Sequence, residues 1–228
     1  NKSLSSNTGS VEDSTSGQFT SFDADGFTLP ADSAGYINYN GRNYVAWNWK
    51  ANGGTTSTNN DGSLAATVQA NTDAGFSIVT WTGDGNASVT LGHGLNSKPQ
   101  LIIYKGRENS FEWPTWFQTF GTTTGFFLSN TTASGSFARV KSEPTDSVIP
   151  NAELNYTNTN TEGSIAYVFH SVEGYSRFGA YRGNSSTDGV YVYTGFRPRM
   201  IFLKQIDGGA EWACYDTERD NGNMHERC

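Results

Sequence analysis

The chain has 228 residues, of which 35% are apolar, 14% aromatic and only 16% charged, with a net charge of −7. That acidic balance works against sequence-independent attraction to nucleic acid or anionic lipid. No apolar run approaches the ~20 residues of a membrane-spanning helix, so neither nucleic acid binding nor membrane insertion is expected.

A chain of this length buries a real core as one large β domain or two smaller ones. With few aliphatics, that core must lean on Phe, Tyr and Trp. Residues 1–20 read as a polar N-terminal lead-in, since Asn1 to Gln18 lacks the basic and apolar regions of a signal peptide. Asp23-Ala24-Asp25-Gly26 starts like a calcium loop, but Ala34 stands where a bidentate Glu is required. A turn is the better reading there. Asn59-Asn60-Asp61-Gly62 and Asp84-Gly85-Asn86 are similar, and a weakly bound calcium ion is the one cofactor these turns leave open.

Helical three-and-four spacing is rarely sustained and Gly interrupts most windows, so strands carry the fold. In chain order they are predicted over Tyr44 to Trp49, Phe76 to Thr82, Gln100 to Lys105, Gly125 to Leu128, Ser164 to His170, Val190 to Thr194, Met200 to Lys204 and Trp212 to Tyr215. Gly, Asn and Asp clusters separate them. The fold class is all-β: a β-sandwich, jelly-roll-like, built from short antiparallel strands. Residues 50–62 and 141–163 read as long, loosely ordered surface loops, the second anchored only by Val148, Ile149 and Leu154.

One β unit is used twice. Trp81-Thr82-Gly83, Pro99 through Lys105 and Trp113 recur as Tyr193-Thr194-Gly195, Pro198 through Lys204 and Trp212, with equal Pro-to-Lys and Lys-to-Trp spacing. The connection from the Thr-Gly pair to the Pro is longer in the first copy. The expected organisation is therefore a β-sandwich region over 21–140 carrying the first unit, a loop and joint over 141–163, and a second unit over 164–228 packed on the same body.

The stretches Tyr44 to Gly54, Ala74 to Gly83, Leu91 to Leu95, Ser171 to Gly179 and Tyr193 to Pro198 resemble an uncharacterised domain family of marine bacteriophage virion proteins, of the cyanophage and pelagiphage kind. Members look like tail-fibre, head-fibre or other particle-surface proteins. The resemblance implies a non-enzymatic virion structural protein, a fibre or appendage or a capsid decoration, on the particle surface. Its implied partners are copies of itself, often as trimers, and other virion proteins. In that family the segment like Trp212 to Thr217 runs on into further strands, so a fragment or a shortened variant is expected. The alternatives are a host-receptor or glycan-binding, lectin-like module and a secreted domain that binds or degrades polysaccharide.

No catalytic residues are expected. A glycosidase needs two facing carboxylates; Glu108, Glu112, Glu143, Glu153, Glu162, Glu173, Asp188, Asp207 and Asp216 have no recognisable paired context. No metal site is expected from His93, His170 and His225, which lie far apart with no ligand spacing. His93 is placed in a turn, and His170 at the end of an apolar strand. A disulfide between Cys214 and Cys228 is open, with free thiols favoured because a large core needs no such staple. Trp47, Trp49, Trp81 and Trp212 are assigned to the core. Trp113 and Trp116 are balanced between core and ligand platform, and with Tyr175 and Tyr181 they are the candidate ligand-binding residues.

Overall fold

The computed structural model describes residues 2–13, 19–31, 37–44, 46–136, 140–218 and 226–227. A small hairpin of β1 (Ser21–Phe22) and β2 (Phe27–Thr28) comes first. There follow β3 (Ser57–Asn59), β4 (Ala66–Asn71), β5 (Phe76–Thr82), β6 (Thr90–Gly92), β7 (Leu101–Gly106), β8 (Pro114–Phe117), β9 (Phe126–Phe127), β10 (Val148–Pro150), a single helical turn α1 (Leu154–Thr157) and β11 (Gly163–Phe169). The chain closes with β12 (Met200–Leu203), β13 (Ala213–Asp216) and β14 (Glu226–Arg227). The protein is all-β and sandwich-like, as composition and turn spacing predict.

The main sheet runs β3-β4-β5-β11-β7-β8-β9, antiparallel throughout. Its central strand is the last to be made. Alternate residues of β11, Ser164, Ala166 and Val168, are buried. Each sits between bulkier or complementary partners: Ser164 between Trp81 and Gly106, Ala166 between Val79 and Tyr104, Val168 between Ser77 and Ile102. Small side chains on the middle strand thus make room for large ones on its neighbours.

A second, smaller layer of β6 and β10 covers this face. Leu91 and Ile149 from that layer join Val79, Trp81, Ile102, Tyr104, Trp116 and Val168 in one core cluster. The layers are tied by polar contacts too: the Tyr104 hydroxyl donates to the Pro150 carbonyl at 2.7 Å, and Ser77 donates to the His93 carbonyl at 2.7 Å. The opposite face of β11 is covered by rings, with Tyr167 stacked on Trp113 and Phe169 against Phe76, Trp49 and Phe178.

The predicted repeat is real in three dimensions. Leu101↔Phe117, Ile102↔Trp116 and Ile103↔Thr115 in β7–β8 correspond to Met200↔Asp216, Ile201↔Tyr215 and Phe202↔Cys214 in β12–β13. β9 and β14 then add to β8 and β13 at matching places. Both unit lysines turn back on the loop that follows them: Lys105 donates to the Phe111 carbonyl, and Lys204 to the Ala210 carbonyl. Buried Lys105 also donates to the carbonyls of Gly9 and Asn109, and burial lowers its pKa.

Several elements differ from expectation. Residues 141–163 are not a loose surface loop: β10 lies within them, and Ile149, Asn151, Ala152, Thr157 and Asn158 are buried. Asn151 exchanges bonds with Val89 through its amide oxygen and backbone N–H, so a polar, Pro- and Asn-rich segment is held inside by its own side chains. Within 50–62 a short strand, β3, lies at the sheet edge. Tyr44 to Trp49 is not a strand among its described residues, Val45 lying outside them, and Val190 to Thr194 is not a strand either. Strands β6 and β8 were not predicted, because three or four residues are too short to register as a period; β4, six residues long, was not predicted either.

Tyr104→Phe removes the hydroxyl that donates to the Pro150 carbonyl while preserving ring volume. Loss of that buried hydrogen bond is expected to cost about 1–3 kcal/mol, read as a lower urea midpoint at unchanged slope.

Candidate functional site

The four predicted ligand residues part company. Trp113 and Trp116 are buried, Trp116 completely. Trp116 faces the core beside its pair partner Ile102, and its indole donates to the Gly121 carbonyl. Trp113 is sealed by the N-terminal segment, its indole N–H shared between the carbonyls of Ser5 and Thr8. That segment is held by Glu12, which takes the Arg107 guanidinium on both carboxylate oxygens and Lys2 on one. The Arg107 hydrogen bond, chiefly, keeps the Glu12 carboxyl below its ordinary range. Residues 2–13 of the expected lead-in cover Trp113, and both tryptophans are interior rather than presented to a ligand. Tyr175 and Tyr181 are exposed, as expected.

The assignment of Trp47 and Trp49 to the core is also reversed: both are about half-exposed, whereas Trp81 is buried and Trp212 partly so. Trp49 leans on Phe76 and Phe169 at the end of the central strands. It forms one wall of an open cleft of about 370 Å³ lined by Trp49, Lys50, Asn71, Asp73, Ala74 and Tyr175. This lies at the small end of ligand-site volumes.

Local chemistry builds the cleft. The β4–β5 connection is a tight turn in which the Asn71 side-chain oxygen accepts from Ala74 N–H at 3.0 Å. Gly75 closes it at φ +64°, and a Cβ there would stand 2.5 Å from the His170 carbonyl, so only Gly fits. The Asn71 amide group donates to the carbonyls of Lys50 and Ala51, pinning the segment that carries Trp49. On the far side, Gly174 at φ +73° and a Tyr175 N–H bond to the Val172 carbonyl present the Tyr175 ring. The cleft therefore offers two aromatic rings, the Lys50 ammonium and the Asp73 carboxylate. Those groups suit a polyhydroxylated ring with one apolar face, by stacking and hydrogen bonding. Its lining holds one carboxylate, where glycoside hydrolysis employs two.

The other acidic residues named from sequence are largely engaged in structure. Glu108 accepts from Gly163 N–H, Glu112 from Ser129, Glu143 from Lys98, Glu153 from Lys141 and Glu162 from Asn109. The turn carboxylates are similar. Asp23 accepts from Ser21 and Thr28 hydroxyls, Asp61 from the Asn59 amide, and Asp84 from Asn86 and Asn158. Hydrogen bonding, from Thr28 foremost, lowers the Asp23 pKa, and the Asn86 backbone N–H does the same for Asp84. Among the described residues, no group of three His, Cys, Asp or Glu side chains is placed to hold a metal ion.

His93, read from the sequence as a turn residue, is fully buried just past β6. Its Nδ1 accepts from Leu95 N–H at 3.2 Å, so Nε2 carries the proton and donates to the Thr145 carbonyl at 3.3 Å. A second ring proton would face the Leu95 N–H. Burial, first of all, lowers its pKa. His170, expected to end the strand, lies one residue beyond β11, with Nδ1 bonded to the Ser171 carbonyl at 2.8 Å. Cys214 is buried in β13, while Cys228, His225 and Ala34 lie outside the described residues.

These features define an antiparallel, sandwich-like β domain with a shallow aromatic cleft at one end of its central sheet. The chain belongs to the family described as a domain of unknown function (DUF7483), whose model matches residues 1–228. No curated protein and no solved structure matches the chain.

Because the folded state keeps His93 neutral, the unfolded chain binds a proton that the native chain refuses below its ordinary value of 6.5. Stability is therefore expected to fall as pH drops from about 7 to 5, by up to ~1.4 kcal/mol per pH unit. A His93→Gln variant should lose that part of the slope, and a wild-type urea midpoint flat across the window would contradict the assignment.

Proposed function

We propose that this domain is a non-enzymatic structural module of a bacteriophage particle surface, a fibre, appendage or capsid decoration that works by binding neighbouring subunits. The observation that carries the reading is the run of large apolar side chains left in solvent from Tyr175 to Phe202. It includes Tyr181, Val190, Tyr191, Val192, Tyr193, Met200 and Ile201. Solvent-facing apolar side chains in such number mark a surface made to be covered. The net charge of −7 and the similarity of Tyr44 to Gly54 and Ser171 to Gly179 to virion proteins support the same reading. Copies of the chain and other virion proteins are the proposed partners. Sedimentation velocity at micromolar concentration is expected to give a homo-oligomer with interfaces above ~1,000 Å². A monomer throughout that range would remove the self-assembly reading.

A second reading is favoured by the Trp49–Tyr175 cleft: attachment to host-surface glycan by ring stacking, with Lys50 and Asp73 bonding hydroxyls. Trp49→Ala and Tyr175→Ala are each expected to weaken retention on a glycan array by about tenfold, the equivalent of ~1.4 kcal/mol. Trp113→Ala instead should destabilise the fold by about 3–5 kcal/mol, since that ring is interior. Equal glycan retention by the two cleft variants and the parent would dismiss the cleft.

A further inference from the structure

Opposite charges that meet elsewhere on the chain form ion pairs: Arg107 and Lys2 with Glu12, Lys98 with Glu143, Lys141 with Glu153 and Arg199 with Glu218. Lys50 and Asp73 line the same cleft without joining one another. Among the described residues, neither of these side chains has an ion-pair or hydrogen-bond partner. Asn71, the one amide side chain of the lining, is already engaged. Its N–H groups donate to the Lys50 and Ala51 carbonyls, and its oxygen accepts from Ala74 N–H. The cleft therefore holds out to a ligand one cation, one anion and two rings, Trp49 at 49% and Tyr175 at 62% exposure.

That combination selects by charge. A neutral sugar would hydrogen-bond both charged groups and neutralise neither, and a singly charged ligand would be attracted by one and repelled by the other. A zwitterion satisfies both. The rings decide the kind of cation. A primary ammonium needs acceptors for three N–H groups, whereas a quaternary ammonium needs none and is drawn to the negative faces of Trp and Tyr. At the other end, a lysine ammonium is a point charge suited to phosphate. A cleft of about 370 Å³ has room for one such head group. We propose that the Trp49–Tyr175 cleft binds a zwitterionic head group of the phosphocholine kind, with its trimethylammonium against the rings beside Asp73 and its phosphate on Lys50. The inference rests on the second reading above, attachment through this cleft, and names the chemical group that is taken.

The experiment titrates the full chain with phosphocholine, choline, glycerol 3-phosphate and methyl glucoside, and follows the backbone amide resonances of Ala74, Gly75 and Tyr175. Phosphocholine is expected to bind about tenfold more tightly than either half of itself or the neutral sugar. Asp73→Asn should erase its advantage over glycerol 3-phosphate, and Lys50→Gln its advantage over choline. Both side chains are exposed, so the urea midpoint should stay unchanged in each variant. No binding of phosphocholine at about 10 mM overturns the proposal. So does methyl glucoside bound as tightly as phosphocholine, an outcome that leaves the glycan reading standing. No ligand bound, together with glycan retention unaltered by Trp49→Ala, removes both readings. Flotation with phosphatidylcholine vesicles separates two carriers of the same head group: co-flotation supports the proposal with a lipid surface as the carrier, and binding of free phosphocholine without co-flotation supports it with a glycan as the carrier.

Discussion

The fold depends on β11 reaching its slot between β5 and β7. Those two strands are synthesised long before it, yet neither pairs with the other; each waits for the same late segment. Closing such a connection costs loop entropy before any contact repays it, so the strand must fit well. Ser164, Ala166 and Val168 meet Trp81, Tyr104 and Ile102 in a register where a one-residue slip would turn large side chains onto large. On the other face the same strand supplies Tyr167 and Phe169, on which Trp113, Trp49 and Phe178 pack. Core, lid and cleft are all organised by that insertion.

Buried polar groups supply the specificity that a core poor in aliphatics needs. The side chains of Tyr104, Lys105 and His93, and the amide oxygen of Asn151, bond backbone groups of the segments packed around them. Unpaired, such groups would each cost more than their net contribution when paired. The loops around this sheet are therefore determined by a few side-chain donors and acceptors. The polar 141–163 segment is ordered for this reason in spite of its composition.

The same economy shows why the surface matters for function. The first unit has its central strand and its covering layer; the second has neither among the described residues, and its aromatic and aliphatic side chains face solvent. That open unit is the surface on which the proposed assembly rests. The Trp49–Tyr175 cleft lies at the edge of the finished unit, with Tyr175 contributed by the segment leading into the open one. The surfaces proposed for attachment and for assembly thus sit close in sequence.

Much of the architecture was legible in the residues. Aromatic-rich alternation over Phe76 to Thr82, the apolar run before Lys105, and its recurrence before Lys204 determined an all-β chain with a duplicated unit, since alternation and spacing are local properties of a strand. Burial of individual rings was not legible. Trp113 is interior because residues 2–13 fold over it, and Trp49 is half-exposed because Asn71 pins its segment at the sheet's end. Nor does Val190 to Thr194, a strong β pattern, become a strand, because backbone hydrogen bonds need a neighbour and this chain places none beside it among the described residues. Sequence by itself decided which segments were able to pair and which residues were apolar. Tertiary structure decided which found partners, because pairing and burial depend on segments brought together from far along the chain.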